Sequence, residues 1–174
     1  MARFKEINLL GDLSAAYPGV FEKMWPFLEA VMRSDAPISR EQRELIAAYV
    51  SLLNQCSFCH GIHTNVARAY GVEDELIEAL ATDIETAPID PKLKPILRLV
   101  KVLTETPARV TDAHYDQVRS AGWDDQAIGF AIGVTALFNM MNRLVEGFGI
   151  ALPEDGGARS GHMLATQGYH RSES

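Results

Sequence analysis

The feature that most constrains the fold is the stretch 125–146. There Ile128, Phe130, Ile132, Val134, Leu137, Phe138, Met141, Leu144 and Val145 leave hardly any polar face. A helix that is apolar nearly all round has to be surrounded, at the centre of its domain or in an oligomer interface. Asp124 stands where its N-cap belongs. The rest of the chain must supply partners for it.

Those partners show helical periodicity. Residues 19–32 repeat apolar side chains at helical spacing, with Pro26 as a kink or an early-turn residue. The run Ser34-Asp35-Ala36-Pro37 breaks that helix, and Ser39 with Gln42 has the form of a capping box for a helix over 40–53. Asn54-Gln55 is a short link to a helix over 56–70, which Gly71 ends. A short helix over 73–81 follows. Asp90 as N-cap and Pro91 as first residue then open a helix to Thr104, although Pro95 falls inside it. Thr111 caps a helix that Gly122 stops. Residues 1–18 read as an irregular lead-in, and neither strand-like alternation nor a repeat occurs. The expected fold is all-α.

At 174 residues and 47% apolar content the chain can bury one good core. The expected organisation is a helical domain over 1–150 and a polar tail over 151–174. The tail, rich in Gly, Ser and His without periodicity, stays ordered only by packing on its own domain or on a neighbouring subunit. His114, His162 and His170 have no spacing relation to any other chemistry. A net charge of -7 without a Lys/Arg cluster excludes nucleic acid and anionic membranes as main partners. The N-terminus has no unbroken apolar run, and no segment reads as long enough to cross a bilayer, so a cytoplasmic location is expected.

The chemistry is gathered between Glu44 and His63. Both cysteines fall in one C-x-x-C, Cys56 and Cys59, with His60 and His63 behind them. On a helix, positions 56, 59, 60 and 63 lie along one stripe. Two cysteines three apart there have Cα atoms roughly 5 to 6 Å apart, within disulfide range. In a reducing compartment such a pair is catalytic, redox-sensing or metal-binding rather than a structural staple. At the start of a helix, unpaired N–H groups and the positive end of the dipole favour a thiolate. Zinc on Cys56, Cys59, His63 and either Glu44 or His60 is a second possibility, although ligands on one stripe seldom converge tetrahedrally. The run 56–60 also spells C-x-x-C-H, the pattern of covalent haem attachment. A peroxide sensor that oxidises without turnover starts from the same switch.

Glu44, eleven residues, Cys56-Ser57-Phe58-Cys59, three residues and His63 together resemble the E-x11-C-x-x-C-x-x-x-H signature of the AhpD-like alkylhydroperoxidases, within the carboxymuconolactone decarboxylase-like superfamily. The run from Phe138 to Arg143, followed by Gly147-Phe148-Gly149, resembles the C-terminal helix of the superfamily's peroxidase-related branch. The resemblance implies an all-helical bundle, a homotrimer or homohexamer, and no cofactor. It also implies a thiol peroxidase in which Cys59 attacks a hydrogen or alkyl hydroperoxide and Cys56 resolves the product as a disulfide. His63 would take the proton and Glu44 would orient His63. A dithiol, dihydrolipoyl or thioredoxin-like, would restore the pair. Phe58 stands where AhpD has a histidine between the cysteines, so the proton relay attributed to that residue does not carry over. The superfamily's decarboxylases, acting on muconolactone-type acids, do not use a C-x-x-C pair.

Overall fold

The computed structural model describes residue 4 and residues 6–169, and every regular element among them is helical. His170 and the end of the tail lie outside the described residues. The lead-in is less irregular than expected: a short helix α1 (Asp12–Ala16) forms where the Asp12 carboxylate accepts from the Asn8 and Leu9 amides at 2.9 and 2.8 Å, with Leu13 buried beneath. A 3-10 turn at Phe21–Lys23 leads into α2 (Met24–Arg33). Pro26 therefore falls in the first turn, where its missing N–H leaves no bond unmade.

Helix α3 (Arg40–Leu53) begins at the expected capping box. Ser39 Oγ accepts from the Gln42 amide at 3.2 Å, and Gln42 Oε1 accepts from the Ser39 amide at 3.0 Å. The link to α4 (Ser57–Ala69) is sharp. Gln55 adopts φ 56°, a left-handed conformation uncommon outside glycine, and the Cys56 amide donates to Ser51 O at 2.9 Å. Cys56 is thus the extended N-cap of α4 rather than its first helical residue.

After α5 (Asp74–Thr82) comes a displaced helix start. Asp90 closes a turn by accepting from the Lys92 amide at 2.9 Å, and α6 (Lys94–Glu105) begins three residues late, with Leu93 as N-cap. Pro95 explains the shift, because in the first turn its missing N–H is harmless, whereas inside a helix it would break the ladder. Helix α7 (Asp112–Ser120) ends at Gly122, whose φ is +88°. The Thr111 amide donates to His114 Nδ1 at 3.1 Å, so His114 belongs to that helix start rather than to bulk solvent. Helix α8 (Asp125–Phe148) is capped by Asp124, which accepts from the Ala127 amide at 2.8 Å.

Helix α8 lies in the core, packed on α3, α6 and α2. By length and composition alone this helix could cross a bilayer, contrary to the expectation that no segment is long enough; half of it is buried inside the protein. A second, smaller apolar cluster holds Cys56, Phe58, Cys59 and Ile62 with Leu13, Val145 and Ile150. The polar stretch after residue 150 also joins the body. It forms α9 (Ala158–Gln167), which packs along α4 of its own chain.

Candidate active site

Four of the residues singled out from the sequence converge where α3, α4 and α8 meet. Glu44 is fully buried, not solvated among its charged neighbours in α3. Its carboxylate is surrounded by donors from three other segments. Arg33 Nη1 lies 2.6 Å from Oε1, Tyr169 OH donates to Oε1 at 2.8 Å, and His63 Nδ1 is 2.7 Å from Oε2. Burial pushes the Glu44 carboxyl upward, but the bond to His63, the charge on that ring when protonated and Arg33 outweigh it and hold the group below its ordinary range. Arg33 in turn donates to Leu164 O at 3.1 Å, and its guanidinium lies over the Tyr169 ring at 4.6 Å. Burial opposes its charge; Glu44 prevails and raises its pKa.

His63 is fixed from both sides. Glu44 takes Nδ1, and the ring meets Phe138 edge-on with centroids 4.4 Å apart. That leaves Nε2 to the cavity His63 lines, a space of about 230 Å³ whose wall also includes Cys59, Phe58, Ile62, Phe138 and Met141. Cys59 opens on this cavity. Cys56, at the opposite side of the pair, is completely buried.

The cysteines are unbonded and 3.8 Å apart. Their electrostatics differ from the expectation that both gain from the helix start. The Cys59 thiol and amide beside the Cys56 sulfur lower its pKa, against burial and the nearby Glu146 carboxylate. Cys59 is pushed well above the ordinary thiol range by donating to Cys56, by burial and by the charge on Cys56; a bond with Asn142 works the other way. The first proton therefore leaves the pair more readily than the second.

His60 does not share this space. Adjacent residues on a helix point about 100° apart, so when Cys59 faces the cavity His60 turns toward α3, where its Nδ1 meets Ala48 O at 3.0 Å. The zinc set fails on the same geometry: Glu44 is already engaged by three donors and His60 points elsewhere. No group of three His, Cys, Asp or Glu among the described residues is placed to hold a metal.

Asn139 and Arg143 are satisfied within the chain. Asn139 Oδ1 accepts from Asn54 Nδ2 at 3.1 Å and its Nδ2 donates to Thr104 Oγ1 at 3.3 Å, while Arg143 bonds back to Asn139 at 2.6 Å. Two residues on α8 do reach the cysteines: Glu146, beside Cys56, and Asn142, beside Cys59 and itself held by Asn54 at 2.9 Å and Ser51 at 3.0 Å. Arg33, Asn142 and Tyr169 were not picked out as site residues. Nothing local marks them, although the run containing Asn142 was singled out.

Known proteins resemble this chain in sequence and in fold. Residues 18–102, which hold the Glu44, Cys56, Cys59 and His63 set, match the carboxymuconolactone decarboxylase family. YdfG of Bacillus subtilis (strain 168), itself uncharacterized, is 33% identical over 108 residues, covering 62% of this chain and 73% of YdfG. An uncharacterized peroxidase-related protein with an alkylhydroperoxidase AhpD core, from Ralstonia eutropha JMP134, superposes with a TM-score of 0.76 at 23% identity, over 83% of this chain and 76% of that one. A peroxidase-related protein from Silicibacter sp. TM1040 gives 0.71 at 26% identity, over 86% and 74%. The chain belongs to the carboxymuconolactone decarboxylase family, and its fold is that of the AhpD core. Helix α9 and Tyr169 lie outside the matched residues.

Proposed function

We propose that the protein is a thiol-dependent peroxidase that reduces hydroperoxides through Cys56 and Cys59. The observation that carries this reading is Cys59, paired with a second free thiol, opening on an apolar cavity beside a histidine whose ring is anchored by a buried carboxylate. His63 Nε2 takes the Cys59 proton, and Cys59 Sγ attacks the terminal oxygen of the peroxide. The O–O bond breaks, the alkoxide leaves with that same proton, passed on by His63 Nε2, and Cys59 becomes a sulfenic acid. Cys56, then a thiol, gives up its proton and attacks the sulfenic sulfur; water leaves and the disulfide forms. An external dithiol, dihydrolipoyl or thioredoxin-like, restores both thiols.

The apolar wall favours an alkyl hydroperoxide over hydrogen peroxide. No lysine or arginine lines the cavity among the described residues, so a muconolactone-type carboxylate would find no fixed counter-charge there, which weighs against a decarboxylase. We further propose a homotrimer or homohexamer in the cytoplasm. Intact mass after a small excess of cumene hydroperoxide tests the reading. The reduced protein is expected to lose about two mass units within seconds, the two thiol hydrogens given up to a disulfide. Dihydrolipoamide should reverse the change over many cycles. Oxidation once without turnover would mark a sensor, and slow oxidation at every thiol-reactive site would overturn both.

A further inference from the structure

The family match ends before α9, yet the carboxylate that anchors His63 is completed from beyond it. Tyr169 OH donates to Glu44 Oε1 at 2.8 Å and stands 3.4 Å from His63 Nδ1. The hydroxyl is fully enclosed. Burial and the Glu44 charge push its pKa well up, which keeps it a donor. Its ring lies parallel to the His63 ring and covers the Arg33 guanidinium, so one side chain touches all three members of the charge cluster.

The placement of Tyr169 is built in, not incidental. Its amide donates to Glu29 Oε2 at 2.6 Å, and the preceding Gly168 adopts φ +76° beside the same carboxylate. Upstream, α9 comes so close to α4 that only glycine fits: a Cβ on Gly161 would lie 2.5 Å from Asn65 Cβ and 3.0 Å from Ile62 O. Tyr70 OH and Arg33 Nη2 tie down the carbonyls of Ala165 and Leu164. Helices α2 and α4 thus fix the height and rotation of Tyr169 over Glu44.

We propose that Tyr169 is a positioning residue of the site, its hydroxyl holding the Glu44 carboxylate in the one orientation that keeps His63 Nδ1 bonded and His63 Nε2 directed at the cavity. The inference rests on the peroxidase reading for its effect on turnover, but not for its effect on the imidazole. Oε1 is shared by Arg33 and Tyr169, so loss of the hydroxyl leaves Arg33 alone on that oxygen, and the guanidinium pulls the carboxylate toward α2, against the His63 bond on Oε2.

Tyr169→Phe tests this while keeping the ring over Arg33. Two readouts are taken on the full chain: the ¹⁵N shifts of the His63 ring, and the rate at which Cys59 is oxidised by cumene hydroperoxide. In the wild type a single tautomer with the proton on Nδ1 is expected; in Tyr169→Phe the two nitrogens should average. Oxidation should slow about tenfold, the scale set by one hydrogen bond to a charged group. Tyr169→Leu, which also strips the ring from Arg33, should be slower still. Wild-type ring shifts in Tyr169→Phe overturn the inference, as does a wild-type oxidation rate in Tyr169→Leu. If the wild type itself fails to turn over, the peroxidase reading falls, and the ring shifts still decide the role of Tyr169.

Discussion

Glu44→Gln preserves the shape of a fully buried side chain and removes its charge. Arg33 would then hold a guanidinium, 7% exposed, without its counter-ion, since its remaining partners are carbonyls and ring faces. Breaking a buried ion pair from one side costs about 3–5 kcal/mol. A folded chain has roughly 5–15 kcal/mol in hand, so the loss is a large fraction of it. At about 2–4 °C per kcal/mol for this size, the melting midpoint should fall by roughly 6–20 °C. Urea unfolding at neutral pH measures the difference directly. Arg33→Met and the double variant complete the cycle: with both charges gone, the double should be less destabilised than the sum of the singles. The pH dependence has a definite sign. Because the folded Glu44 carboxyl sits below its ordinary value, its stabilisation is complete above the unfolded carboxylate pKa of about 4.3 and is lost as pH falls through the lower folded value. The gap between wild type and Glu44→Gln should close in that acidic window. A loss under about 1 kcal/mol, or additive singles, would refute the account of the cluster.

The thiols and α9 give three further tests. In Cys56→Ser, peroxide should leave a sulfenic acid on Cys59 that dimedone traps, whereas Cys59→Ser should yield no adduct; the reverse pattern would exchange the two roles. Alkylation of Cys56 by iodoacetamide should rise at a pH below that of an ordinary cysteine, and Cys59→Ala, which removes the donating thiol, should move that rise upward. Coincident profiles would contradict the shared proton. Gly161→Val should force α9 off α4, destabilise the fold by about 1–3 kcal/mol and expose the stretch around Leu152 to limited proteolysis. Wild-type resistance would contradict the close packing.

What was legible in the sequence was whatever is carried by local spacing. Ser39 with Gln42, the cap at Asp124 and the Glu44, Cys56, Cys59 and His63 set each rest on side-chain type at helical intervals; both caps form as expected, and the four residues of the set come together in the fold. The stripe of four at 56, 59, 60 and 63 was too generous, because a face wide enough to include both His60 and Cys59 spans about 100° and meets two different neighbours. Helix α9 was illegible for a physical reason. It meets α4 through glycines, so the contact that orders it replaces apolar side chains with bare backbone and reads as a polar loop. Arg33 and Tyr169 could not be read as partners of Glu44 from spacing, since only the finished fold brings together residues 11 and 125 positions away.

The reach of Tyr169 back to Glu44 also orders events during synthesis. Ribosomes add about 5–20 residues per second, so the 125 positions between the two take roughly 6–25 s to make. Through that interval Glu44 and Arg33 can fold around His63 without their hydroxyl donor and without the roof that α9 provides. The cysteine pair is therefore translated long before its surroundings are complete, and the last described residue of the chain is the one that finishes the burial of its anchoring carboxylate.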